Sequence, residues 1–328
     1  MVETTGAIAF RETGGPEVLR WETLPIAAPA PGEVRLRHTA IGFNFHDTYV
    51  RSGLYPAPSL PAVPGVEAAG IVEAVGEGVG ELCPGDRVAY ASPLLGAYAE
   101  RRLLPAASLV KLPDDLPDER AAGLMVKGMT AHYLLRRSHR VKKGEIILVH
   151  AAAGGVGLIL CQWAKHLGAT VLGTVGSRAK AELAARHGCD HPILYREEDF
   201  VARVREVTNG AGVAAVYDSV GRDTFAGSLD CLQHLGIMIS FGQSSGKIPP
   251  FDVIELMAKG SLFLTRPSLF TYIAKREDLL GTAADVFDAV RNGVFTIDIR
   301  KTYALRDAAD AHRDIEARRT TGASIFRP

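Results

Sequence analysis

The stretch VHAAAGGVGLILCQWAKHLGATVLGTVGSRAK, Val149 to Lys180, decides the fold. An apolar strand, Glu145 to His150, runs into AAGGVG, Ala152 to Gly157, which fits G-x-G-x-x-G with alanine at its first position. Such a loop needs a tight turn, a backbone bare enough at Gly154 and Gly155 for a pyrophosphate to approach, and close helix packing at Gly157. The helix that follows, LILCQWAKHLG, turns its unpaired N–H groups toward the phosphates. Glycine turns are common, so the context carries the inference: this one follows a strand, opens an amphipathic helix and precedes a second strand, TVLGTVG. It reads as a dinucleotide-binding turn.

The end of the second strand selects the dinucleotide. NAD-binding members of this fold place a carboxylate about 20 residues on, where it takes the ribose hydroxyls. Here Gly176 and Ser177 stand at that place, followed by Arg178 and Lys180. An acid would repel the 2′-phosphate of NADP, whereas glycine, a hydroxyl and cations give it space and partners. Arg178 and Lys180 read as a solvated helix face would leave the missing acid unexplained. The expected cofactor is NADPH.

Working outward, 328 residues suffice for two domains with separate cores. The hydrophobic fraction of 47% and charged fraction of 23% fit a soluble globular chain. No apolar run approaches the roughly 20 residues of a membrane span, and no secretory leader is visible. Lys+Arg and Asp+Glu both total 37, which gives no global field to favour nucleic acid or an anionic membrane. Cys83, Cys161, Cys189 and Cys231 are scattered singly, as expected of reduced thiols in a cytoplasmic protein.

Thirteen of the 18 prolines fall in the first 120 residues, which predicts short strands and turns there. GEVRLRHTAIG (Gly32 to Gly42) and VEAAGIVEAVG (Val66 to Gly76) alternate as half-buried strands do, and PGDRVAY (Pro84 to Tyr90) is a turn feeding a strand. From about residue 120 the texture becomes helical in DERAAGLMVKGMTAHYLLRRS. Apolar runs then follow in GEIILVH, TVLGTVG, DHPILY, GVAAVYDSV and LGIMISFG, separated by helix-compatible segments. Strands alternating with helices imply a parallel sheet covered on both faces. The tail reads as helical again in LFTYIAKREDLLGTAADVFDAVRNG, followed by strands in FTIDIRKTYAL and SIFRP. The expected fold is α/β: a doubly wound Rossmann-type domain over 125–263, inserted into a mostly β domain made of 1–124 and 264–328.

The segments GGPEVL (Gly14 to Leu19), AIGFNFHDTYVRSGLYP (Ala40 to Pro56), GVEAAGIVEAVGEGV, GDRVAY, AAAGGVG, YREED (Tyr195 to Asp199), VYDSVG and TRPSL (Thr265 to Leu269) follow one another in this order along the chain. Through them the chain resembles, over nearly its whole length, the medium-chain dehydrogenase/reductases. The group it is most similar to is that of the zinc-independent, zeta-crystallin-like quinone oxidoreductases. The resemblance implies a GroES-like catalytic domain around the Rossmann domain, a cleft between them for nicotinamide and acceptor, and a homodimer. GSLFLTRPSL is the strand candidate for the dimer edge. A strand wholly internal to one subunit is the alternative.

The zinc enzymes of that superfamily place a catalytic cysteine where this chain has Asn44 and a histidine where it has Val66. They also carry four closely spaced cysteines, where this chain offers Cys83. Catalytic zinc needs about three protein ligands with one open position, and His46 with Glu67 falls short of that set. Metal-free catalysis is therefore expected. Without a Lewis acid, alcohol oxidation is disfavoured. Quinones and conjugated enones suit neutral donors better, because delocalisation spreads the charge left by hydride addition.

Candidate donors are Asn44, Tyr49 and Tyr55, which the family similarly places beside the nicotinamide and substrate. For Asn44 the alternative is a hydrogen bond to the loop backbone; for the tyrosines it is packing. The resemblance further implies Tyr133 near the phosphates, Gly155 with Val156 under the pyrophosphate, and Gly176, Ser177 and Lys180 around the 2′-phosphate and adenosine. Tyr195 would lie on the adenine side. Ser219, Phe241, Gly242 and Ser244 would lie at strand ends, with Phe263, Thr265 and Arg266 toward the nicotinamide half and Arg318 as the late arginine, beside Arg319. The expected activity is NADPH:quinone oxidoreductase. The alternatives are an NADPH-dependent reductase of α,β-unsaturated carbonyls and, of another class, an RNA-binding or structural protein.

Overall fold

Proline-rich sequence at the start of the chain gives a chain of short strands, as seen in the computed structural model, which describes residues 3–328. Two units are present. The first comprises the chain up to Val126 with Ile273–Ala283 and Ile297–Pro328, and the second comprises Lys127–Tyr272 with Ala284–Thr296.

In the first unit β1 (Thr4–Ala9) and β2 (Arg20–Pro25) form an antiparallel pair. A larger sheet is built on β3 (Glu33–Phe43), β4 (Glu67–Val75), β5 (Arg87–Ala91), β6 (Arg101–Pro105) and β7 (Val110–Lys111). The C-terminal strands Ile299–Ala304 and Ala323–Arg327 complete it, the latter antiparallel to β3. Alternation along β3 sends Val34, Leu36 and Ala40 into the core, as period-2 patterning requires. Val34 and Leu36 join Ile8, Phe10, Tyr90, Leu104 and Phe326 in one cluster, where burying a large apolar side chain contributes about 1.5–3 kcal/mol. The short helix α1 (Phe45–Arg51) leaves the end of β3, and α2 (Asp118–Tyr133) opens with the acidic pair Asp118 and Glu119, favourable at a helix N-terminus.

The second unit holds six parallel strands: β8 (Ile146–Val149), β9 (Thr170–Val175), β10 (His191–Leu194), β11 (Val213–Asp218), β12 (Leu232–Ser240) and β13 (Phe263–Thr265). Their spatial order is β10-β9-β8-β11-β12-β13, the doubly wound arrangement, with its switch point between β8 and β11. Near-continuous apolar runs such as VAAVY in β11 are buried on both faces, as covered parallel strands must be. Helices α3 (Gly155–His166), α4 (Arg178–Arg186), α5 (Phe200–Val207) and α6 (Phe225–Asp230) connect the first five strands. The fold class is the expected one: a Rossmann-type sheet with a mostly β partner.

Three local details are sharper in the structure. Residues 264–265 pair with Met238 and Ile239 of β12, so the chain past residue 263 still belongs to the parallel sheet. The segment from Leu269 is two helices, Leu269–Tyr272 and Arg276–Arg291, the second starting at the acidic pair Glu277 and Asp278. Phe295 and Ile297 precede the strand at Ile299 rather than lying in it; Phe295 stacks on Trp163 at 5.2 Å instead of joining a ladder.

Candidate functional site

In the second unit most of the expected cofactor residues lie at the carboxyl ends of the strands, where open α/β sheets bind ligands. After β8 the chain turns through Ala151, at φ 53°, and reaches Gly154, which caps α3. Gly155 and Val156 form the first turn of that helix. A Cβ on Gly157 would stand 2.3 Å from the Ala151 carbonyl oxygen, and one on Gly154 would stand 3.1 Å from the same atom. Glycine at 157 is thus what lets α3 approach the turn, the packing a pyrophosphate cradle needs.

At the end of β9, Gly176 is followed by Ser177, which caps α4 and accepts the Lys180 backbone N–H at 3.4 Å. The Ser177 hydroxyl keeps a proton to donate. Tyr195, just past β10, brings its hydroxyl to 3.0 Å from where a Cβ on Gly176 would lie. Arg178 pairs with Glu197 at 3.6 Å across exposed surface, which suits a solvated helix face. Gly176, Ser177, Lys180 and Tyr195 therefore share one neighbourhood, and it contains no acid at the end of β9.

The ends of β11 and β12 interlock. Phe241 and Gly242 donate their N–H groups to the Asp218 carbonyl, and Ser244 donates to that of Ser219. A side chain on Gly242 would strike the Ser219 oxygen at 2.6 Å. Beneath them lies a buried hub that sequence reasoning did not single out. Asp218 Oδ1 accepts the N–H groups of Val220 and Gly221 at 2.6 and 3.0 Å, and Oδ2 accepts the hydroxyls of Thr224 and Ser228 at 2.7 and 3.2 Å. His150 joins Ser228 to Thr174, each at 2.9 Å, and burial lowers its pKa. The hub ties the glycine turn to β9, β11 and α6.

Thr265 ends β13, and Arg266 donates to the Ser240 carbonyl at 2.6 Å, so both sit at the carboxyl edge. Phe263 does not: it opens β13 at the amino end and is 59% exposed. Tyr133 is buried, stacks on Tyr272 with ring centroids 4.4 Å apart, and its phenol is pushed well up by burial.

The first unit gathers Asn44, Tyr49 and Tyr55. Asn44 caps α1 and forms a capping box with Asp47. Its Nδ2 donates to Glu67 Oε2 at 2.7 Å, a side-chain partner that the alternative of a purely local backbone bond did not include. The Tyr49 and Tyr55 rings meet edge to face at 5.0 Å, with His46 at 5.6 Å from Tyr55. Tyr49 is buried and Tyr55 half-buried. Helix α1 is pinned from below: Asp47 accepts the Tyr98 hydroxyl at 3.0 Å, Tyr98 meets His312 Nε2 at 3.2 Å, and Arg51 pairs with Glu316. His312 and Glu316 both belong to the C-terminal helix Ala308–Glu316. Just past it, Arg319 is held by Asp314 at 2.7 Å, and Arg318 is exposed in the left-handed region at φ 59°.

Zinc does not fit this cluster. Asn44 presents a neutral amide, Val66 has no donor, and both Glu67 oxygens already accept N–H groups, from Asn44 and from Val126. Among the described residues no three His, Cys, Asp or Glu side chains converge as a ligand set.

The chain matches two families, described as alcohol dehydrogenase GroES-like domain over residues 30–114 and zinc-binding dehydrogenase over residues 155–279. It is 50% identical to a quinone oxidoreductase of Salmonella typhimurium, covering 98% of this chain and 99% of that one. It is 48% identical to a 2-haloacrylate reductase of a Burkholderia species, covering 98% of each. Among solved structures it is similar to Escherichia coli quinone oxidoreductase complexed with NADPH, with a TM-score of 0.96 at 49% identity, covering 98% of this chain and 100% of that one.

Proposed function

Because the chain belongs to the quinone oxidoreductase family of the medium-chain dehydrogenase/reductases, we propose that it reduces quinones with NADPH and without zinc. The observation that carries this reading is the cluster at Asn44: an amide and two tyrosines, all neutral hydrogen-bond donors, where a zinc enzyme needs a thiolate and an imidazole. NADPH, when bound, supplies hydride from its nicotinamide ring.

The residues do the rest. Gly154, Gly155, Val156 and Gly157 present backbone to the pyrophosphate at the start of α3, whose N-terminus favours anions. Gly176, Ser177, Lys180 and Tyr195 take the 2′-phosphate and adenosine, with Tyr133, Ser219, Phe241, Gly242, Ser244, Thr265, Arg266 and Arg318 as further contacts. Asn44 and Tyr49 contact the nicotinamide. Asn44, Tyr49 and Tyr55 hydrogen-bond the acceptor carbonyl, where negative charge grows as hydride arrives. A conjugated acceptor spreads that charge, so neutral donors suffice.

The domain division we propose is 125–263 for the cofactor domain and 1–124 with 264–328 for the catalytic domain, with β13 carrying the parallel sheet two residues past that boundary, to Thr265. A homodimer through β13 is supported by its place at the edge of the parallel sheet. Val253, Ile254, Met257 and Phe263 expose apolar side chains on this strand and the segment before it. A cytoplasmic location suits four free thiols. No described helix is long and apolar enough to cross a membrane.

A second reading, reduction of a conjugated carbon–carbon double bond, is favoured by the 48% identity to a 2-haloacrylate reductase. Following NADPH oxidation with 1,4-benzoquinone, naphthoquinones, 2-alkenals and 2-haloacrylates separates the two. Turnover of quinones well above the others supports the first reading. Turnover confined to alkenals or haloacrylates replaces it, and tight NADPH binding with no turnover at all points to a binding protein.

A further inference from the structure

Asn44 is held by two carboxylates from different elements, and neither meets solvent. Its backbone N–H donates to Asp47 Oδ2 at 3.0 Å, and its side-chain Nδ2 donates to Glu67 Oε2 at 2.7 Å. Asp47 and Glu67 are both fully buried. Glu67 uses its other oxygen for the Val126 N–H, also at 2.7 Å, so both oxygens act as acceptors, the pattern of an ionised carboxylate. Asp47 Oδ2 takes the Tyr98 hydroxyl in addition. Arg51, on the same helix as Asp47, has its guanidinium answered by Glu316. His46 Nδ1 lies 3.7 Å from Asp47 Oδ1.

Fixed charges in a dry site act far more strongly than they do in water. We propose that Glu67 is a positioning residue: it fixes which way the Asn44 amide faces, and with Asp47 it makes the surroundings of Asn44 favour a ring that becomes positively charged. This rests on the proposed contact between Asn44 and nicotinamide, and it deepens that reading. The reduced ring is neutral and the oxidised ring is a cation. The buried carboxylates thus bind NADP+ better than they bind NADPH at this end, and they pull the hydride transfer forward. They also give the fully buried Glu67 a role toward the cofactor.

The test is calorimetric titration at pH 8 of the full-length wild-type, Glu67→Gln and Glu67→Asp proteins with NADP+, NADPH and 2′,5′-ADP, which lacks nicotinamide. Glu67→Gln should weaken NADP+ relative to NADPH by roughly tenfold, the size of one charge-assisted interaction. Glu67→Asp, which keeps the charge, should retain the wild-type ratio, and 2′,5′-ADP should bind all three alike. If Glu67→Gln fails to fold, Asp47→Asn takes its place with the same expected shift. An unchanged NADP+/NADPH ratio in the folded variant overturns the proposal. A wild-type protein that binds 2′,5′-ADP no better than 5′-AMP removes the NADPH reading itself, and the inference with it.

Discussion

The hydroxyl of Tyr195 stands 3.0 Å from the point where a Cβ on Gly176 would lie, and two of its ring carbons stand 3.4 Å away. An acid placed at 176 to take the ribose hydroxyls would enter space that Tyr195 fills. Gly176→Asp should therefore weaken NADPH at least tenfold through repulsion of the 2′-phosphate, while NADH gains little. Adding Tyr195→Ala should open the space and improve NADH binding over the single variant. Fluorescence titration of both cofactors checks this, and NADH binding equally well to the single and double variants contradicts it.

The glycine loop and the parallel sheet were legible in the sequence because their signals are local. Gly154, Gly155 and Gly157 stand within four residues of one another between a strand and a helix. The supports of the site were not legible, because their partners are distant in sequence. Asn44 and Glu67 are 23 residues apart, His150 and Ser228 are 78 apart, and Tyr98 and His312 are 214 apart. No periodicity connects such residues; only the sheet topology brings them together. A three-residue edge strand such as β13 has too little pattern for the sequence to fix which of its ends faces the site.

Asp218 accepts four hydrogen bonds while fully buried. Asp218→Ala strands two backbone N–H groups and two hydroxyls, at a cost of about 3–5 kcal/mol. Thermal unfolding should fall by several degrees, and NADPH should stabilise the variant less than it stabilises the wild type. Ser228→Ala removes one of those bonds and should cost only about 1 kcal/mol. Equal losses in the two variants would show that Asp218 is not the hub.

Buried histidines, His38 and His312 among them, shape the acid response. His38 donates from Nδ1 to the Ala99 carbonyl and accepts the Tyr90 hydroxyl at Nε2; burial pushes it down to about 3. Tyr98 spends its proton on Asp47, so His312 presents Nε2–H to the Tyr98 oxygen, and burial pushes this ring down to about 3 as well. The unfolded chain takes up a proton near pH 6.5, where the native rings do not. Their contribution is complete above pH 6.5 and is lost progressively as the pH falls from 6.5 toward 3. Melting temperature should drop between pH 7 and 5, above the range of ordinary carboxylates, and His38→Gln should make that drop shallower. An equally steep drop in His38→Gln removes His38 from the account.

The parallel sheet ends at β13. β13 pairs with β12 on one side only, and its Phe263 is 59% exposed, with Met257 63% exposed in the helix Ile254–Ala258 just before it. Apolar side chains beside an unpaired strand edge invite a second chain to continue the sheet. A charge there opposes pairing by desolvation and, across a two-fold axis, by meeting its own copy. Phe263→Asp with Met257→Asp should convert a dimer into a particle near the 35.1 kDa chain mass, while each subunit melts cooperatively. Light scattering decides it: a wild-type particle already at the chain mass removes the dimer, and a double variant that stays dimeric moves the interface away from β13.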